Sequence, residues 1–155
     1  MHKILFVCTG NQYRSPIAAE AFRDQLVQDA RDAEWKVNSA GTWTSPGQTP
    51  PNEAVELARS HGLTIDRHKT RMLTANMLAE ANVILVMEEG HKESIKAEFP
   101  FAREKVYLLS QVVEGIAYDI PDPAIVKADA RDIISDLVRM IRAGYVKICS
   151  IVEAG

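Results

Sequence analysis

The stretch Lys3-Ile4-Leu5-Phe6-Val7-Cys8-Thr9-Gly10-Asn11-Gln12-Tyr13-Arg14-Ser15-Pro16 decides how the chain is read. Lys3 to Val7 is a short apolar run without alternation, the pattern of a strand buried on both faces. A loop with one glycine follows. Ser15-Pro16 then reads as a helix start, with Ser15 as N-cap and Pro16 at the first helical position. Ile17, Ala18, Ala21, Phe22 and Leu26 recur beyond it at helical spacing. The opening unit is strand, loop, helix.

The same alternation continues outward. Trp35 to Ala40 reads as a second strand, and Gly41 to Asn52, rich in proline, glycine, serine and threonine, as a surface loop. Ala54 to His61 predicts a helix closed by Gly62, and Thr74 to Glu80 another. Asn82 to Met87 is a second fully apolar strand, followed by a helix near Gly90 to Glu98. Lys105 to Leu109 gives a fourth strand, Tyr118 to Pro123 a loop, and Ala128 to Ile148 a long amphipathic helix with Ile133, Ile134, Leu137, Ile141 and Val146 on its apolar stripe. Strands alternating with helices predict an α/β fold of one domain (1–155), with a parallel sheet covered on both faces. Ligands in such sheets bind beyond the carboxyl ends of the strands, where the loop after Val7 lies.

Composition bounds the function. With 155 residues, 46% hydrophobic and 25% charged, the chain has the make-up of an ordinary globular domain. A net charge of -3 argues against a general binder of nucleic acid or membrane surfaces. Two cysteines, Cys8 and Cys149, are too few for a disulfide scaffold and fit a reducing compartment. No secretory leader or membrane-length apolar run is evident, so the cytoplasm is the expected location. No residues cluster at metal-ligand spacing, and no cofactor is expected.

Residue chemistry makes the loop an anion cradle. Loop residues Thr9 to Arg14 offer backbone N–H groups at a helix start, where the dipole also favours negative charge. Gly10 would let the backbone turn with positive φ or approach the ligand closely. Arg14 adds a guanidinium fork able to hold two phosphate oxygens. Cys8 would lie beneath the phosphorus, among donors that favour its thiolate, the nucleophilic form. An inert cysteine at a strand end is the competing reading. It is outweighed by the combination of apolar strand, Gly10 and Asn11 within the loop, Arg14, and Ser15-Pro16. Pro121-Asp122-Pro123 is open on its residues alone: it is either a rigid turn or a stiffened loop presenting a general acid.

The pattern Val7-Cys8-Thr9-Gly10-Asn11-x-x-Arg14-Ser15-Pro16 resembles the signature loop of the low-molecular-weight protein tyrosine phosphatases. The similarity continues through Ser39-Ala40-Gly41, His61-Gly62, His68-x-x-Arg71, the strand ending at Met87, and Asp122-Pro123. It implies a four-stranded parallel sheet flanked by helices and phosphomonoester hydrolysis through a phosphocysteine. It assigns Cys8 as nucleophile and Arg14 as phosphate clamp. Ser15 becomes a hydrogen-bond donor to the sulfur, Asp122 the general acid and base with Asp119 as the backup, and Asn11, Ser39 and His68 the supporting network. The expected partner is a phosphorylated protein, phosphotyrosine foremost, or a small phosphomonoester. Phosphate is the expected product and a monomer the expected state.

The chain departs from the family in three places. Tyr13 stands where many members carry a second cysteine, so a protective disulfide beside Cys8 is excluded. Ala124 and Ile125 follow the Asp-Pro pair in place of aromatic residues, leaving Trp43 or Tyr13 to supply a stacking surface for a substrate ring. Gln12 matches neither the apolar residue of tyrosine-directed members nor the threonine of the related protein-arginine phosphatases, so phosphoarginine stays open as substrate. A thiol-dependent arsenate reductase would need further cysteines between about Asn76 and Glu98, and there are none. A phosphate-recognition module would need neither Cys8 nor Asp122, and a phosphocarrier would not need Arg14.

Overall fold

A computed structural model describes residues 1–155. Four parallel strands, β1 (His2–Cys8), β2 (Trp35–Gly41), β3 (Val83–Val86) and β4 (Val106–Leu108), form one sheet in the order β2-β1-β3-β4. The helices are α1 (Arg14–Gln28), α2 (Asn52–Arg59), α3 (Ala75–Glu80), α4 (Glu89–Glu98), α5 (Leu109–Glu114) and α6 (Ala130–Ala154). The expected α/β architecture is what the chain adopts.

The unalternating apolar strands are explained by two cores. Ile4, Phe6, Cys8, Leu85 and Met87 face the larger one, against α1, α5 and α6. Leu5, Val7, Ile84 and Val86 face the smaller one on the other side of the sheet, with Leu78 of α3 and Ile95 of α4. Phe22 of α1 seals the larger core by packing on Phe6, Trp35 and Tyr145. Chain order reverses between β1 and β3, since β1 leads outward to β2 and the chain then crosses to β3. The crevice at their carboxyl ends is therefore where side chains from both halves of the sheet converge.

Several boundaries differ from expectation for local reasons. Helix α1 begins at Arg14, so Ser15 is its second residue and not its N-cap. Positive φ falls on Asn11 (57°), not on Gly10. α6 extends to Ala154, and its Val146 is 71% exposed, off the apolar stripe. α5 carries no periodic signal in the sequence: six residues closed by Gly115 at φ 73° are too short to show helical periodicity. Thr74 caps α3, its side chain accepting from the Met77 amide.

Candidate active site

The loop 9–13 turns directly from β1 into α1, and Asn11 fixes its shape. Asn11 is fully buried, and the backbone amide of Arg71 donates to its Oδ1 at 2.9 Å. A backbone N–H can only donate, so the amide orientation is determined: Nδ2 faces the other way and donates to Ser15 Oγ (2.8 Å) and Ser39 Oγ (3.0 Å). His68 Nε2 donates to the Asn11 carbonyl at 2.7 Å. Burial, and secondarily Arg71, pushes the His68 pKa down, which keeps this ring neutral. Gly41 is required by close approach, since a Cβ there would sit 2.5 Å from the Thr9 carbonyl oxygen. Hydrogen bonds thus join Asn11, Ser39 and His68, and Ser15 with them, in one network.

Cys8 Sγ lies at the centre of this loop. It accepts from the Asn11 amide at 3.3 Å and is 3.0 Å from Ser15 Oγ. Because Ser15 Oγ already accepts from Asn11, its own proton is free to point at the sulfur; the alternative acceptor, Ala40 O, is farther away at 3.5 Å. Two donors therefore aim at Sγ, an arrangement that stabilises negative charge on it.

Arg14 is 1% exposed. Its Nη1 donates to Glu88 Oε2 at 2.5 Å and to the Ile120 carbonyl at 2.7 Å. Nη2 lies 3.3 Å from Asp122 Oδ2 but has no hydrogen-bond partner. A buried guanidinium with one nitrogen anchored and one unpartnered is suited to receive an anion. Asp122 is carried on a loop tied to the end of β3: the Ile120 amide donates to Met87 O, and the Glu89 amide to Asp119 Oδ1. Asp122 Oδ1 accepts from Ala124 N at 3.0 Å, a turn of its own that leaves Oδ2 toward Arg14. Asp119 is thus occupied at the start of α4, while Asp122 faces the guanidinium.

Two contributors were not anticipated. Glu88 and His91 follow β3 and reach the loop across 74 and 82 residues of sequence. The Glu88 amide donates to His91 Nδ1, so the neutral ring carries its proton on Nε2 and donates it to Thr9 Oγ1 at 2.8 Å. Burial first, then Arg14, lowers the His91 pKa, against the opposing pull of Glu88, Asp119 and Asp122. The signal was an acid and a histidine just past the carboxyl end of an apolar strand, in Met87-Glu88-Glu89-Gly90-His91.

The aromatic candidates separate. Tyr13 is only 6% exposed, its ring belongs to the larger core, and its hydroxyl donates to Glu53 at 2.8 Å. That is a correction: Tyr13 offers no face for stacking, because the entry into α1 turns it inward. Burial and then Glu53 raise its pKa to about 12. Trp43 is 79% exposed, with its backbone amide bonded to Thr9 O. Gln12 is half-buried beside Gln48 (3.4 Å). Cys149 is a core thiol on α6 whose pKa burial raises.

The profile of the low molecular weight phosphotyrosine protein phosphatases matches residues 3–153. The chain belongs to this family. A putative low molecular weight protein-tyrosine-phosphatase from Klebsiella pneumoniae is 39% identical over 120 residues, 77% of this chain and 78% of that protein. A protein-arginine-phosphatase from Bacillus subtilis is 32% identical over 142 residues, covering 89% and 93%. Among solved structures, a YwlE mutant from B. subtilis superposes with a TM-score of 0.87 at 28% identity, over 96% of this chain and 99% of that one. A low molecular weight protein tyrosine phosphatase from T. tengcongensis gives 0.84 at 28% identity, over 97% and 99%. Members of the family are phosphoric monoester hydrolases, and this phosphatase has no helix long and apolar enough to cross a membrane.

Proposed function

We propose that this member of the phosphatase family dephosphorylates phosphotyrosine on proteins, with Cys8 as nucleophile, Arg14 as clamp and Asp122 as acid and base. The observation that carries the reading is that Arg14, at the far end of the loop that begins at Cys8, holds an unpartnered Nη2 3.3 Å from Asp122 Oδ2, while the Asn11 amide and Ser15 Oγ hold Cys8 Sγ at the other end. The backbone N–H groups of 9–14 and Arg14 bind the phosphoryl oxygens. The Cys8 thiolate attacks phosphorus in line, the S–P bond forms as the P–O bond to the leaving group breaks, and Asp122 delivers its proton to the departing oxygen. Water then attacks the phosphocysteine, Asp122 takes the proton, and the S–P bond breaks. The Ser15 hydroxyl supports the sulfur as leaving group in that second step.

The preorganised donors and Arg14 supply the charge stabilisation. Asn11, Ser39 and His68 keep the loop in shape, and Trp43 is the surface aromatic available to a substrate ring. A reducing compartment, the cytoplasm, keeps Cys8 active without a neighbouring thiol.

Phosphoarginine is the second reading, favoured by one observation: Gln12, in the loop between Cys8 and Arg14, is a polar side chain paired with Gln48. Hydrolysis of matched phosphotyrosine and phosphoarginine peptides decides between them. Phosphotyrosine turnover by the native protein, slowed in Asp122→Asn mainly for poor leaving groups, is the expected result. Preference for phosphoarginine changes the substrate and keeps the mechanism. Binding of phosphate without hydrolysis of either peptide or of an activated aryl phosphate would overturn it.

A further inference from the structure

Outside the catalytic loop, basic side chains concentrate along the outer edge of the sheet. Two clefts of about 590 Å³ and about 250 Å³ flank edge strand β2, one on each face of the sheet, and meet as a groove over its outer edge, where they share Asn38 and Arg71. Lys3, Arg23, Lys36, Arg67, Lys69 and Arg71 line it. Arg23 pairs with Glu20, and none of the other five makes an ion pair. Of the three acids in the groove, Glu20 is taken by Arg23 and Asp66 by Arg59, which leaves Glu80. Five uncompensated cations against one carboxylate is a local inversion of sign on a chain of net charge -3.

We propose that this groove docks an acidic segment of the phosphorylated protein substrate, an inference that rests on the phosphatase reading above. Charge complementarity selects an anionic occupant. Shape selects a polypeptide over a single phosphate, because the strand residues that line the groove, Lys36 to Ser39, span about 10 Å and the lining continues on both faces of the sheet. The groove also reaches the site: Ser39 and His68 line its end and both hydrogen-bond Asn11. A substrate protein seated there has its phosphorylated residue near the loop, so the groove acts on KM and leaves the chemical step alone.

The test uses the full chain and a Lys36→Glu/Arg67→Glu/Lys69→Glu variant, none of which belongs to the catalytic network. Binding of a fluorescein-labelled, unphosphorylated peptide of alternating glutamate and serine is read by anisotropy, and hydrolysis is read on an aryl phosphate and on phosphotyrosine peptides with acidic or neutral flanks. The expected results are peptide binding about tenfold weaker in the variant, KM for the acidic-flanked substrate about tenfold higher with kcat unchanged, and aryl phosphate turnover unaltered. If the variant fails to hydrolyse aryl phosphate, Lys36→Gln/Lys69→Gln and a salt titration of native binding replace it, with weakening expected in both. No binding by the native chain, binding indifferent to the substitutions and to salt, or variant-sensitive binding of tripolyphosphate but not of the peptide would each overturn the docking role. Failure of the phosphatase reading is distinguishable, since it abolishes native aryl phosphate hydrolysis whether or not the peptide binds.

Discussion

Replacing Asn11 tests how the loop is held. Its side chain makes three hydrogen bonds at 2.8–3.0 Å from a fully buried position at φ 57°. Asn11→Gly removes those bonds and leaves the Arg71 amide without its partner, a loss of about 3 kcal/mol at roughly 1 kcal/mol per bond. Asn11→Ala loses the same bonds and also forces a Cβ residue into the left-handed region at about 1–2 kcal/mol, partly offset by the roughly 0.4–1 kcal/mol alanine gains through the unfolded chain. Alanine should therefore be the worse of the two by about 1 kcal/mol, the reverse of their order in a helix. Urea unfolding of both variants gives the comparison, within the range a domain of this size survives. Hydrolysis should fall in both, because Ser15 loses the donor that turns its proton toward Cys8. Alanine equal to or better than glycine would refute the strain, and a loss under about 1 kcal/mol in both would refute the network.

Three further outcomes follow from particular contacts. Tyr13→Phe removes the bond to Glu53, so urea unfolding should show a loss of about 1 kcal/mol with aryl phosphate kcat/KM unchanged; a selective fall on phosphotyrosine peptides would restore Tyr13 to the cleft. Glu88→Gln takes one carboxylate from Arg14, so inorganic phosphate should inhibit about fivefold more tightly, and weaker inhibition would make Glu88 chiefly a positioner of the guanidinium. His68 and His91 have pKa values lowered by burial; the unfolded chain then binds more protons, so stability is lost as pH falls through about 6.5 toward the folded values. Urea midpoints from about pH 7.5 to about pH 5.5 should drop, less steeply in His68→Gln, and a flat native profile contradicts the assignment.

The fold was legible where burial dictates composition. Strands covered on both faces cannot alternate, so Ile4–Val7 and Asn82–Met87 announced a parallel sheet, and the glycine-containing loop between strand and helix marked the place where buried Asn11, Arg14 and Ser15 gather. What was illegible depends on contacts distant in sequence. Capping rules place Ser15 at the N-cap of a helix, but its hydroxyl is turned to Cys8 and Asn11 and the helix opens two residues earlier than that. Nothing local says that Asn11, not Gly10, takes the positive φ, because the stabilising partners are Ser39, His68 and Arg71. Glu88 and His91 sit just past an apolar strand, but their partners Arg14 and Thr9 are distant in sequence, and Tyr13 reads equally as a surface or a core aromatic until α1 packs it against the core.

Cys8 as nucleophile is tested by acid-quench peptide mapping of the enzyme during turnover of an activated aryl phosphate, with native protein, Asp122→Asn and Cys8→Ser. An activated leaving group needs no acid, so Asp122→Asn should form the intermediate and hydrolyse it slowly. A phosphoryl group is expected on the peptide containing Cys8, enriched in Asp122→Asn and absent, together with turnover, in Cys8→Ser. Turnover that persists in Cys8→Ser, or native turnover with no phosphoryl group on Cys8 in any of the three, would contradict that role.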